Sequence, residues 1–295
     1  MSAPSEIESV AIVGGGLMGS GIAESVARAG LPVTVSEVDE AAVARARERI
    51  ESSLARAVRG GKLERDQAQE ALARVELTVG LEAIDGADLV IEAVPESERL
   101  KLEVMGAIDR VVPERTIVAS NTSSIPIAEL ARALTRPERV LGLHFFSPVP
   151  VMRLVEVVVA LDTAPEVVAC ARAFVERIGK HPIETKDRSG FIVNMLLVPY
   201  LMAAVRMFEE GFASREDIDA GMKLGCGHPM GPLQLCDFIG LDVLYAVCDS
   251  LYEEFKRDEY APPPLMKRMV ASGRLGRKSG RGFYEYGEPA GGQLP

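Results

Sequence analysis

The run SVAIV at 9–13 opens directly onto GGGLMGSGIAESVARAG at 14–30, and this junction constrains the fold of the 295-residue chain more than any other feature. The run is short, β-branched and bounded by glycine, as a buried parallel strand is. The segment after it carries apolar residues at helical spacing and closes on Gly30, a residue suited to a helix C-terminus. Between the two, Gly14, Gly16 and Gly19 make the pattern GxGxxG. Gly14 permits the tight turn, Gly16 lets the backbone approach a pyrophosphate, and Gly19 packs helix against strand. The helix N-terminus, with Leu17 and Met18 in its first turn, is left to hold the anion. Such a site calls for an acidic residue about 20 positions on, at the end of the second strand, to bind the ribose. Glu37 ends VTVSE there. A carboxylate at that point repels a 2′-phosphate, so NAD is expected rather than NADP.

The alternation continues. Strands are read at 31–35, 75–79, 88–94, 116–120, 140–146, 154–159 and 181–186, with helices at 40–59, 98–111, 126–134 and 165–178. Strands separated by helices imply a doubly wound, mainly parallel sheet, so an α/β Rossmann-type NAD-binding domain is expected over 1–187. At DRSG, 187–190, the β-rich character stops. Helices read at 191–210, 214–224, 231–256 and 264–272 make an all-α C-terminal domain over 188–286. Its first helix, with Ile192, Met195, Leu196, Met202 and Met207, is apolar nearly all round and is expected to be buried on most sides, in a helical core or in the interface of a homodimer. The tail at 287–295 is rich in Gly and Pro and is expected to be disordered.

A net charge of −10 argues against nucleic acid or an anionic membrane as partner, since both favour basic surfaces, and it means that an anionic substrate needs a local basic patch. No apolar run reaches the roughly 18 residues that span a bilayer, and no cationic start precedes an apolar stretch at Met1–Ser9, so a cytoplasmic protein is expected. Cys170, Cys226, Cys236 and Cys248 form no CxxC pair and lie among apolar residues, as reduced, buried thiols would; no metal site is expected.

Hydride transfer from a secondary alcohol needs a base for the hydroxyl proton, neutral near pH 7, which points to histidine. There are three: His144, His181 and His228. His144 ends a strand at the carboxyl edge of the sheet, where ligands of open α/β sheets bind. Glu156 lies on the next strand, and a carboxylate beside an imidazole fixes its tautomer and stabilises the imidazolium. From spacing alone, a structural histidine and a solvated glutamate remain the alternative.

The segments SNTSSIPI at 120–127, GLHFFSPVPVMRLVEV at 142–157, SGFIVNMLLVPYL at 189–201, GHPMGPLQLCDFIGLD at 227–242 and GRKSGRGFYEY at 276–286, with GGGLMGSGIA at 14–23, resemble the successive motifs of 3-hydroxyacyl-CoA dehydrogenases. The resemblance covers nearly the whole chain in order. It implies NAD-dependent interconversion of (S)-3-hydroxyacyl-CoA and 3-ketoacyl-CoA, of the 3-hydroxybutyryl-CoA type, by a homodimer joined through the helical domain, which also binds the substrate. By motif, His144 is similar to the catalytic base and Glu156 to its partner. Ser123 resembles the hydroxyl that holds the substrate oxygen, and Asn194 the amide that holds the reacting group. Glu96, Lys101, Ser147 and Lys278 match positions near the cofactor. Without the resemblance, Ser123 reads equally as a helix cap, Asn194 as a first-turn polar residue and Glu96 and Lys101 as ordinary helix charge.

For the CoA phosphates, Arg45, Arg49, Arg56 and Arg59 fall at helical spacing with Ser52 and Ser53 between them, one cationic stripe in which Ser53 and Arg56 are candidate contacts; a solvated face is the other reading. The stripe favours a CoA ester over the alternative of a non-CoA hydroxy acid such as a sugar acid. The chain also departs from the family pattern. Ser147 stands where Asn is usual, and Met195 and Ala204 replace an Arg and an acidic residue that could have paired, so restoring both is expected to leave stability unchanged.

Overall fold

The computed structural model describes residues 6–287, and the chain divides into two compact units after Arg188. The tail at 287–295, apart from Gly287, lies outside the described residues.

The first unit is one eight-stranded sheet flanked by helices. Its elements run β1 Val10–Val13, α1 Leu17–Arg28, β2 Val33–Glu37, α2 Glu40–Arg59, α3 Arg65–Ala73, β3 Val75–Val79, β4 Leu89–Glu92, α4 Glu98–Val111, β5 Ile117–Ser120, α5 Ile127–Ala131, β6 Val140–Phe145, β7 Leu154–Val159, α6 Pro165–Arg177 and β8 His181–Lys186. The strand order is β3-β2-β1-β4-β5-β6-β7-β8. Every pairing is parallel except β6 with β7, which residues 146–153 join as antiparallel neighbours. The central strands β1, β4 and β5 are buried along their whole length, as parallel strands covered on both faces must be. Ile12, Val35, Ile91 and Leu141 meet Ile22, Val26 and Ile50 of the helices in one core.

Helix α3 is not legible in the apolar pattern, because only Ala71 of its residues is buried. It is started instead by Gln67, whose side chain accepts from the Glu64 backbone N–H at 3.1 Å. Helix α5 stops at Ala131, short of the expected 134.

The second unit is helical: α7 Val193–Glu209, α8 Arg215–Ala220, α9 Pro232–Ile239, α10 Leu241–Phe255 and α11 Pro264–Ala271 pack around Val198, Leu201, Val205, Leu233, Leu244 and Met266. The helix expected at 231–256 is two, parted at Gly240, whose φ of 101° lies where side-chain-bearing residues are strained. The helix expected at 214–224 ends at Ala220 and runs on as a π turn, Gly221–Gly225.

Helix α7 is less buried than its composition suggests. Val198, Leu201, Met202 and Val205 face the core, but Ile192 before it and Leu196, Ala203 and Met207 along it form an exposed stripe, with Leu196 72% exposed. Met195 and Ala204 cannot have paired: nine residues turn a helix through about 900°, so they lie on opposite faces about 13.5 Å apart along its axis. Cys170, Cys236 and Cys248 are buried free thiols as expected, whereas Cys226, just after the π turn, is exposed. Among the described residues no helix is long and apolar enough to cross a membrane.

Candidate active site

The glycine turn is built for a ligand that the backbone itself must meet. Gly14 has φ 98°, and a side chain there would strike the Ala93 carbonyl; one at Gly19 would overlap the Gly14 carbonyl oxygen. A side chain at Gly16 would meet nothing within 4 Å. Gly16 is the N-cap of α1, with no side chain capping the helix and no acidic residue in the first turn. The N–H groups of Leu17, Met18 and Gly19 therefore begin a 12-residue helix facing open space, a cradle that fits a pyrophosphate.

Glu37 ends β2 beside this turn. Its Oε1 accepts from the Gly15 N–H at 2.7 Å, which ties the carboxylate to the glycine loop. Ser36, the preceding residue, turns its hydroxyl inward to the Gly80 carbonyl at 2.7 Å. The polar group presented at the strand end is thus an anion, suited to a ribose diol and repellent to a 2′-phosphate. On the neighbouring α2, Arg45, Arg49, Arg56 and Arg59 are exposed and Ser53 half-buried; Arg49 leans to the Gly15 carbonyl at 3.4 Å, so one end of the cationic stripe adjoins the glycine loop.

At the far side of the parallel region, sheet register brings the base and its partner together. His144 and Glu156 are direct cross-strand neighbours on β6 and β7, and His144 Nδ1 lies 2.6 Å from Glu156 Oε2. The glutamate is fully buried and the histidine 6% exposed, so this is neither a solvated carboxylate nor a solvated imidazole. The carboxylate at Nδ1 fixes the orientation of the ring and sets which nitrogen carries its proton. Phe146 packs on the imidazole with ring centroids 4.6 Å apart, and Asn121, whose Oδ1 accepts from Phe145 N–H at 3.0 Å, ties the end of β6 to the end of β5. Ser147 is exposed in the turn after Phe146, at a cis peptide bond to Pro148.

The loop leaving β5 carries Ser123. The cap of α5 is supplied not by this serine but by Asp187, which accepts from Ile127 and Ala128 N–H, both at 2.7 Å. Ser123 is therefore released from the capping role that its position before a helix suggests. Glu96 holds it instead. Glu96 Oε1 accepts from Thr122 Oγ1 at 2.6 Å, Ser123 N at 2.9 Å, Ser123 Oγ at 3.2 Å, and Ser124 N and Oγ at 3.2 Å each. Burial raises the Glu96 carboxyl, but the charge of Lys101 and the hydrogen bonds from Thr122 and Ser123 outweigh it and hold the group below its ordinary value. Lys101 is itself 1% exposed. Its ammonium binds Glu92 Oε1 at 2.8 Å, the Val94 carbonyl at 3.2 Å and Glu96 Oε2 at 3.3 Å, so all three of its protons have protein partners.

Glu92 was not singled out by sequence reasoning. The signal was a charged last residue on an otherwise wholly apolar strand, LVIE. In the second unit, Asn194 sits in the first turn of α7 but does not cap it: the N-cap is Ile192, with no side-chain bond. Lys278 pairs there with Asp242 Oδ2 at 2.7 Å.

Two family models match the chain, the 3-hydroxyacyl-CoA dehydrogenase NAD binding domain over residues 9–188 and the 3-hydroxyacyl-CoA dehydrogenase C-terminal domain over 190–286. The chain is 51% identical to a 3-hydroxybutyryl-CoA dehydrogenase of Mycobacterium tuberculosis, over 95% of this chain and 99% of that one. It is 43% identical to a probable 3-hydroxybutyryl-CoA dehydrogenase of Bacillus subtilis, over 96% and 99%. Among solved structures it is similar to (S)-3-hydroxybutyryl-CoA dehydrogenase from Ralstonia eutropha, with TM-score 0.91 and 45% identity, over 96% of this chain and 100% of that one.

Proposed function

The chain belongs to the 3-hydroxyacyl-CoA dehydrogenase family, and from that premise we propose that it interconverts (S)-3-hydroxyacyl-CoA and 3-ketoacyl-CoA with NAD, acting on short chains such as 3-hydroxybutyryl-CoA and acetoacetyl-CoA. The observation that carries the mechanism is the buried His144–Glu156 pair at the carboxyl edge of the sheet.

Bound on the glycine turn, NAD supplies the hydride acceptor for alcohol oxidation and, reduced, the donor for the reverse step. Glu156 keeps the proton of neutral His144 on Nδ1, so Nε2 accepts the proton of the substrate 3-hydroxyl as the C–H bond gives up its hydride. The resulting imidazolium is stabilised by Glu156, and in ketone reduction it returns that proton to the carbonyl oxygen. Ser123 holds the same oxygen by hydrogen bond, and Asn194 orients the acyl group. Gly14, Gly16, Leu17, Met18, Gly19 and Glu37 hold the adenosine and pyrophosphate half of the cofactor, with Glu96, Ser147 and Lys278 toward its nicotinamide half and Lys101, buried behind Glu96, acting there only through that carboxylate. The α2 stripe, with Ser53 and Arg56 foremost, receives the CoA phosphates.

The exposed stripe of Ile192, Leu196, Ala203 and Met207 supports a homodimer through the helical unit, since an isologous contact needs such a self-complementary apolar patch. A cytoplasmic enzyme, using the NAD pool there, completes the reading.

The test is NADH absorbance with acetoacetyl-CoA and, separately, with free acetoacetate, each repeated with NADPH. Oxidation of NADH by the thioester alone is the expected result. Equal turnover of the free acid would remove CoA from the proposal, and silence with both from protein that binds NADH would remove the short-chain substrate.

A further inference from the structure

Glu92 is the last residue of β4 and has no exposed surface at all. Removing a carboxylate from water is unfavourable unless charge and hydrogen bonds compensate, and Glu92 collects four such contacts. Oε1 accepts from Val94 N–H at 2.7 Å and Lys101 Nζ at 2.8 Å; Oε2 accepts from Ser120 Oγ at 2.6 Å and Lys101 Nζ at 3.1 Å. These partners belong to three different segments: the turn after β4, the first part of α4 and the end of β5.

Two of the contacts lead on to Ser123. By one route Lys101, fixed by Glu92, binds Glu96 Oε2, while Glu96 Oε1 faces Ser123. By the other, Ser120 Oγ, which donates to Glu92, accepts from Thr122 N–H at 3.2 Å, the residue before Ser123. The charges alternate along the first route, carboxylate, ammonium, carboxylate. Lys101 draws the charge of Glu96 toward Oε2, which weakens the pull of Oε1 on the Ser123 hydroxyl proton. Five donors also share Oε1, and the Ser123 hydroxyl is among the outer ones, at 3.2 Å where Thr122 holds the same oxygen at 2.6 Å.

Resting on the assignment of Ser123 to the substrate oxygen, we infer that Glu92 is a positioning residue: it fixes Lys101 against Glu96 so that the Ser123 hydroxyl can leave Glu96 and donate to the 3-keto oxygen. If Glu92 is lost, Lys101 is no longer anchored, Glu96 keeps the Ser123 proton, and the keto substrate meets an acceptor where it needs a donor. Lys101 acts in the same way, through Glu96, with its own ammonium committed within the protein.

The experiment is a cycle of Glu92→Gln, Ser123→Ala and the double variant, reading kcat for acetoacetyl-CoA reduction, KM and NADH affinity by fluorescence titration. Glu92→Gln should lower kcat about ten- to a hundredfold, the usual scale for groups that orient a reacting residue, and leave NADH affinity within about threefold. In the Ser123→Ala background the same change should have little further effect, because the group it acts through is gone. A purely structural Glu92 would lower thermal stability with kcat per folded site unchanged, or give losses that add independently to those of Ser123→Ala; either result overturns the inference. Should Glu92→Gln fail to fold, the double replacement Glu92→Leu with Lys101→Met removes both buried charges and enters the same cycle. Unchanged kcat in Ser123→Ala alone would overturn the assignment of Ser123 itself, whereas a crippled Ser123→Ala with an unimpaired Glu92→Gln overturns only the role given to Glu92.

Discussion

In the sheet unit the buried carboxylates of Glu92 and Glu156 face an ammonium and an imidazole, whereas in the helical unit those of Asp219 and Asp237 face backbone N–H groups and tyrosine hydroxyls. Asp219 accepts from Leu233 and Gln234 N–H at the start of α9 and from Tyr284 OH; Asp237 accepts from Phe283 and Tyr284 N–H and from Tyr286 OH. All four acids are at most 2% exposed. Burial alone therefore does not mark a working carboxylate. In the proposed mechanism the partner does: a fixed amide can only be held, while an imidazole or an ammonium passes charge to a neighbour that can react.

The sharpest way to break this contrast is to remove the imidazole while keeping a donor for its carboxylate. His144→Gln still offers an N–H to Glu156, so thermal stability should stay close to that of the parent. NADH oxidation by acetoacetyl-CoA should fall by roughly two to four decades if Nε2 carries the proton. Near-normal turnover would place the base elsewhere and reduce the His144–Glu156 pair to the kind of structural bond that Asp219 makes.

A carboxylate introduced into the helical unit without a partner tests the other side. Ala204 is 7% exposed and packs in the core of that unit, and Met195 lies on the opposite face of α7. Ala204→Glu should destabilise by about 3 kcal/mol, the scale of an uncompensated buried charge. Adding Met195→Arg should recover little of it, since the two side chains point apart. Equal melting temperatures for the double variant and the parent would mean that α7 bends enough to join them.

These cases also show what the sequence could express. His144 with Glu156, and the glycine turn with Glu37, were legible because each rests on a fixed repeat: antiparallel neighbours face each other across a turn, and a βα turn places its acidic residue one strand later. The roles of Asp187 as the cap of α5 and of Glu92 beneath Lys101 were not, because each joins segments whose approach only the assembled sheet decides. The Met195 and Ala204 pairing was misread although the information was present: a spacing of nine puts two residues of one helix on opposite sides. The break at Gly240 was missed because the apolar pattern continues across it.

The two units should also answer acid with opposite signs. Glu96 is held below its ordinary value: burial raises it, and Lys101, Thr122 and Ser123 lower it by more. A group lowered on folding contributes stability that is fully present above its unfolded value and is lost as pH falls through the folded one. Asp237 is raised, because burial outweighs the bonds from Phe283, Tyr284 and Tyr286. The folded chain then binds that proton more readily than the unfolded chain, so its contribution is present below the ordinary carboxylate value and fades as pH rises through the raised one. Amide exchange, corrected for its intrinsic pH dependence, can follow both at once. As pH is lowered through the carboxylate range, protection at Ser123 and Ser124, whose N–H groups bind Glu96, should weaken, while that at Phe283 and Tyr284, whose N–H groups bind Asp237, should hold or rise. Loss of protection at both sites together would show that the acids of the two units are tuned alike, and that only their partners, not their proton affinities, set the working site apart from the structural one.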